Sequence, residues 1–226
     1  LNSIDKQCQI INVENSNNQD FKSQIENEFE NVKCILTGEN LGYGKANNIG
    51  LKEVKTKYAL ILNPDTKLYP ETLNNFIKLA NEIKNFAIIG PGIVEGDDSH
   101  KSSIKNATKQ TSEVKGYAML MNLSQFEDIG FFDENIFFFL EEIDLCKRLK
   151  RKNKAIYYSP TTRVRHEGGK SHDNSFNYEM ELSRNWHWMW STFYYNKKHN
   201  GYLIALLIVL PKLFNAIFKF FTYSIF

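Results

Sequence analysis

Residues 137–148, reading FFFLEEIDLCKR, carry Glu141, Glu142 and Asp144 between an aromatic run and a basic run. Carboxylates so close together can supply a general base, or oxygen ligands for a hard cation. Phe137, Phe138 and Phe139 would partly desolvate a neighbouring carboxylate and raise its pKa, which suits a base. A plainer account also stands. Acids favour a helix N-terminus, and Lys147, Arg148, Lys150, Arg151 and Lys152 favour the C-terminal end of the same helix. Upstream, Asp65 closes Asn63-Pro64-Asp65 after an apolar strand. A carboxylate there can bind a divalent cation that also holds phosphate oxygens, or simply sit in a turn. His166 is a candidate metal or phosphate ligand, although a histidine taken alone is more often structural or on the surface. The chain between Glu142 and His166 is long enough to return to the same strand ends, so His166 is expected near Asp65. Gly42-Tyr43-Gly44-Lys45 precedes a helix whose N-terminus can receive phosphate. It has neither Walker nor dinucleotide spacing.

These groups need a scaffold. Short apolar runs predict strands over 9–13, 32–36, 58–62 and 87–89, the last stopped by Gly90-Pro91-Gly92. Helical patterns fall between them, over 21–29, over 46–54, and from Pro70-Glu71 with the stripe Leu73, Phe76, Ile77, Ala80 and Ile83. This alternation predicts an α/β domain with a mainly parallel sheet. Ligands bind such sheets at the carboxyl ends of strands. Glu14, the Gly42–Gly44 loop and Asn63-Pro64-Asp65 all belong there. The second half is less regular. It reads as a polar loop over 97–115, a strand over 116–121 and a capping box from Ser124 to Glu127 with a helix stopping at Gly130. A helix over 140–152, a strand over 155–158 and a turn at Gly168-Gly169 follow. From residue 179 the pattern is helical.

A chain of 226 residues can bury one substantial core, and 42% hydrophobic with 24% charged residues is an ordinary globular composition. A net charge of +2 gives no sign of nucleic-acid binding. Cys8, Cys34 and Cys146 are far apart and odd in number, which fits a reducing compartment better than a disulfide framework or a zinc site. No signal peptide opens the chain and it does not start with Met, so it is expected to be a fragment or a processed form.

Taken together, several segments resemble one family. They are Glu14-Asn15-Ser16-Asn17-Asn18, the run Asn40-Leu41-Gly42-Tyr43-Gly44-Lys45-Ala46-Asn47-Asn48, then Leu62-Asn63-Pro64-Asp65-Thr66 and Gly116-Tyr117-Ala118. Gly130-Phe131-Phe132-Asp133-Glu134, Leu140-Glu141-Glu142-Ile143-Asp144 and His166-Glu167-Gly168-Gly169 complete the set. Their order and spacing are similar to those of the family 2 glycosyltransferases, in particular the rhamnosyltransferase-like branch. The resemblance implies a GT-A fold, a UDP- or dTDP-sugar donor with a bias to dTDP-rhamnose, and inversion at the anomeric carbon. It implies Mg²⁺ or Mn²⁺ at Asp65 and His166. It makes Glu142 the base, with Glu141 and Asp144 beside it. Glu14 would face the base and ribose. Asn40, Gly42, Lys45, Asn48 and Asn63 would line the donor site, and Arg184 would contact the diphosphate. Three departures stand out: Asn63 replaces the first acid of Asp-x-Asp, Glu14 and Glu142 are a methylene longer than the usual Asp, and the family's first strand is missing.

The expected organisation is a GT-A catalytic domain over 1–180 and a C-terminal helical segment over 181–226. The enzyme would act in cell-surface polysaccharide synthesis on a glycan or lipid-linked acceptor, in the cytoplasm or at the inner face of the membrane. Two other readings remain: a non-catalytic nucleotide-sugar-binding subunit, and a polyprenyl-phosphate sugar transferase. The apolar run 203–210, then Pro211 and the polar stripe Lys212, Asn215, Lys219 and Thr222, fits amphipathic helices lying in a membrane surface. A helix packed on the catalytic domain fits equally.

Overall fold

The computed structural model describes residues 8–93, 107–166 and 177–225. The N-terminal elements are β1 (Ile10–Glu14), α1 (Gln19–Glu28), β2 (Val32–Leu36) and α2 (Tyr43–Glu53). Then come β3 (Tyr58–Leu62), β4 (Thr66–Leu68), α3 (Thr72–Glu82), β5 (Phe86–Ile93), β6 (Lys109–Gln110) and β7 (Ala118–Asn122). The chain continues through α4 (Glu141–Arg151), β8 (Ala155–His166), α5 (Asn177–Asn200) and α6 (Tyr202–Ile225). The expected turn at Gly168-Gly169 and the first part of the polar loop lie outside the described residues.

The main sheet has the order β3-β7-β5-β8-β4, with β6 also on β8. It is mixed, not mainly parallel: only β5 and β8 pair in parallel, while β3–β7, β5–β7, β4–β8 and β6–β8 are antiparallel. The reason is β7, whose five residues are all buried. A strand covered on both faces reads as a continuous apolar run whichever way it points. β1 and β2 form a separate parallel pair with a small core of Ile25, Val32 and Cys34. β3, expected to be buried throughout, buries only Ile61 and ends the main sheet's order.

Period-two alternation divides the core into layers. Ile88, Met119 and Met121 pack with Leu145 and Leu149 of α4 and Leu51 of α2. Ile89 and Leu120, one residue out of phase, pack with Phe76 and Ala80 of α3. Helices thus cover both faces of the sheet.

Two strands run further than their sequences predict. β5 passes through Gly90-Pro91-Gly92, because a shift in register between Pro91 and Gly92 removes the need for a regular ladder there. Gly90 is required by space: a Cβ would lie 2.5 Å from Val114. β8 crosses Ser159-Pro160-Thr161 by the matching irregularity, with the Ser159 and Thr162 hydroxyls 3.0 Å apart, and so carries on to His166. The expected capping box at Ser124 is not formed; residues Leu123–Phe126 are a 3₁₀ turn, and Ser124 bonds to Asn122 at 3.0 Å.

Candidate active site

The extension of β8 decides where His166 sits. It pairs antiparallel with β4, and Thr66 is opposite His166. Asp65, one residue earlier, therefore meets the imidazole: Nε2 is 3.2 Å from Oδ1. That Oδ1 is buried and has no hydrogen-bond partner among the described residues. The Asn63–Asp65 turn is held by Asn63 N–H to the Tyr117 carbonyl at 2.9 Å, and Thr66 N–H to the Asn63 carbonyl at 3.0 Å. The Tyr117 ring stacks on His166 at 4.9 Å.

Gly116, next to Tyr117, leads to the carboxylates. Its carbonyl accepts a bond from the Tyr43 hydroxyl at 2.5 Å, and a Cβ on it would lie 3.8 Å from Glu142 Cβ. Burial raises the Glu142 carboxyl above its ordinary pKa, against a lowering by Lys115. Glu141 is the more deeply buried, at 4% exposure, and its Oε1 has no hydrogen-bond partner among the described residues. Burial, aided by the charge of Glu142, pushes its pKa up to about 7. Burial also raises the Tyr43 phenol, as do Glu142 and Glu141, so it stays a donor. Sequence reasoning assigned no role to Tyr43, Gly116 or Tyr117. The only signal was their presence inside two of the quoted segments.

Phe139 and Leu140, just before α4, both have φ of +70°. Left-handed backbone in non-glycine residues costs of order 1–3 kcal/mol each and persists only where the surroundings fix it. One side of this loop is fixed by α2. Tyr43 N–H bonds to the Phe137 carbonyl at 3.1 Å. Gly42, at φ +79°, leaves no room for a side chain, since a Cβ would stand 2.3 Å from the Phe137 oxygen.

The remaining donor-site candidates divide. Glu14 ends β1 and accepts from Ser16 at 2.6 Å. Asn40 joins Asn15 at 2.9 Å and accepts from Gly42 N–H at 3.0 Å, latching the β1 and β2 loops together. Lys45 is half-buried in the first turn of α2. Asn48 is different: it is buried and bonded to Phe132 N–H at 3.0 Å, the Phe132 carbonyl at 2.9 Å and Glu134 at 3.1 Å. Its amide braces the loop leading to Phe137 and has little left for a ligand. Arg184 is exposed on α5, one turn before His187, which stacks on Phe137 at 4.2 Å.

The sequence profile of Glycosyl transferase family 2 matches residues 1–147. The chain belongs to that family. It is similar to the low-salt glycan biosynthesis hexosyltransferase Agl10 of Haloferax volcanii, with 26% identity over 71% of this chain and 62% of that protein. It is also similar to rhamnosyltransferase WbbL of Escherichia coli K12, with 28% identity over 86% of this chain and 84% of that one. Among solved structures, GalNAc-T7 with UDP, GalNAc and Mn²⁺ matches with a TM-score of 0.59 at 10% identity, over 91% of this chain and 51% of that one. A mannosyltransferase of Pyrobaculum calidifontis with GDP-Man and Mn²⁺ matches equally well, at 12% identity over 80% and 52%. The fold is GT-A.

The family match ends before α5, yet α5 is bonded to the carboxylate loop. The Ser191 hydroxyl donates to the Phe138 carbonyl at 2.7 Å, and Trp188 meets Phe139 edge-on at 5.3 Å. Lys198 bridges Asp133 at 2.6 Å and Asp144 at 2.7 Å. Asp144, expected beside the base, is fully buried and saturated: Arg148 lies at 2.8 Å and His199 at 2.7 Å. Burial raises its pKa, but Lys198, Arg148 and His199 outweigh that and the net shift is downward. Its carboxylate ties α4 to α5 and is not free to take a proton from substrate.

Asp65 and His166 form a pair of one oxygen and one nitrogen donor. Among the described residues no group of three or more His, Cys, Asp or Glu gathers around a metal position. Two protein donors with an unsatisfied Oδ1 are suited to one side of a divalent cation's oxygen-rich shell.

Proposed function

We propose that this chain is an inverting, metal-dependent glycosyltransferase that moves a sugar from a UDP- or dTDP-activated donor, dTDP-rhamnose being the leading candidate, to a hydroxyl of a glycan or lipid-linked acceptor. The observation that carries the reading is the Gly116-Tyr117 step. Tyr117 packs on His166 of the Asp65 pair, and Gly116 abuts Glu142. On this reading a donor whose diphosphate is held at Asp65 would present its anomeric carbon to an acceptor held at Glu142. The acceptor class draws on a Mycobacterium tuberculosis relative named N-acetylglucosaminyl-diphospho-decaprenol L-rhamnosyltransferase, 19% identical. The setting would be cell-surface polysaccharide synthesis at the cytoplasmic face of the membrane.

Glu142 takes the proton from the acceptor hydroxyl as that oxygen attacks the anomeric carbon from the face opposite the leaving diphosphate. One C–O bond forms and the C–O bond to the nucleoside diphosphate breaks. Glu142 is half-buried with a raised pKa, so it holds the transferred proton better than an exposed carboxylate would. Glu141 packs close to Gly44, and with its pKa pushed up to about 7 it is about half protonated at neutral pH. Glu14 and the Asn15–Asn40 latch shape the nucleoside side, with Lys45 and Arg184 as phosphate contacts. Asp65 and His166 would hold a divalent cation, which would supply charge neutralisation for the departing diphosphate.

The test is sugar release from nucleotide-sugar donors with Mn²⁺, read as free nucleoside diphosphate. Turnover lost in Glu142→Gln supports the reading. Tight donor binding without turnover for any donor would favour a non-catalytic nucleotide-sugar-binding subunit.

A further inference from the structure

The α5–α6 hairpin presents a large apolar face that none of the described residues covers. The two helices turn about Gly201 and run antiparallel: Phe193 meets Tyr202 edge-on at 6.0 Å, and Lys212 lies 5.8 Å from the centre of the Trp188 ring. α6 is one helix straight through Pro211. It turns Ala205 inward, fully buried, and leaves Leu203, Leu207, Phe214 and Phe218 at 74%, 72%, 66% and 68% exposure. These four recur at i, i+4, i+11 and i+15, one stripe of the helix. On α5, Leu182, Trp186 and Trp190 form a second exposed stripe at i, i+4 and i+8. A monomer in water rarely exposes so continuous an apolar face unless something docks there.

The charge pattern selects the occupant. α5 and α6 carry Arg184, Lys197, Lys198, Lys212 and Lys219 against two acids, Glu179 and Glu181, both in the first turns of α5, and Lys198 is taken up by Asp133 and Asp144. An apolar stripe with tryptophans and a net cationic charge matches an anionic lipid surface: acyl chains take the apolar residues, headgroups the indoles and the remaining basic residues. Among the described residues no helix is long and apolar enough to cross a membrane. The face also adjoins the carboxylates, since Trp188 touches Lys212 on one side and Phe139 on the other.

We propose that the outer face of α5–α6 docks on an anionic bilayer, and that this brings a lipid-linked acceptor to Glu142 along the Trp188–Phe139 side. The second half rests on the glycosyl-transfer reading; the docking does not. The experiment is flotation of the full chain with vesicles of phosphatidylcholine alone, or mixed with phosphatidylglycerol, alongside nucleotide-sugar binding with Mn²⁺. The chain is expected to float with the mixed vesicles and stay down with phosphatidylcholine. The double variant Leu207→Ser, Phe214→Ser should lose partitioning by roughly tenfold per residue, with donor binding unchanged. Because both side chains are exposed, the variant keeps its fold. Failure to float with donor binding intact overturns the docking. So does self-association that the double variant abolishes while vesicles have no effect, since a second copy then covers the face. Flotation without donor binding would leave the docking standing and overturn the transfer reading.

Discussion

Two Asp–His pairs in this molecule use the same residue types for opposite ends. In Asp144–His199 the carboxylate is fully buried, its oxygens are shared among Arg148, Lys198 and His199, and nothing is left for a ligand. In Asp65–His166 the carboxylate keeps some exposure, the His166 nitrogen is 3.2 Å away, and Oδ1 has no hydrogen bond among the described residues. The first pair fastens α5 to α4. The second has coordinating capacity to spare at the edge of a strand. What separates a structural pair from a ligand-binding pair is thus the unspent valence, not the residues.

The contrast makes graded predictions. The largest effect belongs to the glutamate two residues before Asp144 on the same helix. Glu142→Gln keeps the shape and removes the base, so turnover should fall by about 10²–10⁴-fold in steady-state assays with nucleotide-sugar binding unchanged. If turnover survives, the base lies elsewhere.

Next comes the saturated pair. Asp144→Asn would strand two fixed cations and an imidazole in a buried site. Breaking such a network costs about 3–5 kcal/mol, which should lower the melting temperature by roughly 10 °C. Hydrogen exchange should quicken in α5 before the sheet. Because the Asp144 pKa is depressed in the fold, its stabilisation is present above the unfolded value and is lost as pH falls through the folded one. An unchanged melting temperature would mean that α5 is held by its aromatic contacts alone.

These pairs also measure what was legible in the sequence. Asp65 could be found because it ends an apolar strand at a turn, where α/β sheets keep ligands. That His166 meets it depends on β8 crossing Ser159-Pro160-Thr161, and a proline there reads as a stop until the register shift in β5 is seen. Asp144 read as a helix-start acid, which it is. Its partners Lys198 and His199 lie more than 50 residues away in a segment whose pattern indicates only a helix. Asn48 sits in a motif that resembles a donor loop, yet it braces Phe132. Local chemistry shows in a sequence; the partner that uses it up does not.

A smaller effect is expected at Glu141. Its pKa is raised to about 7 from an ordinary 4.5, so the unfolded chain releases this proton first and stability falls as pH rises between those values. Glu141→Gln removes the loss. It should raise stability by on the order of 2–3 kcal/mol at pH 8 and by little at pH 4, as urea unfolding at the two pH values would report. A gain independent of pH would show that the carboxyl is not buried as described.

The central claim is that Asp65 keeps its carboxylate for a cation that holds the donor diphosphate. Calorimetric titration of a nucleotide sugar into wild type and Asp65→Ala, each with and without Mn²⁺, tests it directly. Wild type should bind with Mn²⁺ and much more weakly without it, while Asp65→Ala should fail to bind in either case and melt at the wild-type temperature. Equal affinity in the two proteins with Mn²⁺ present would contradict the account.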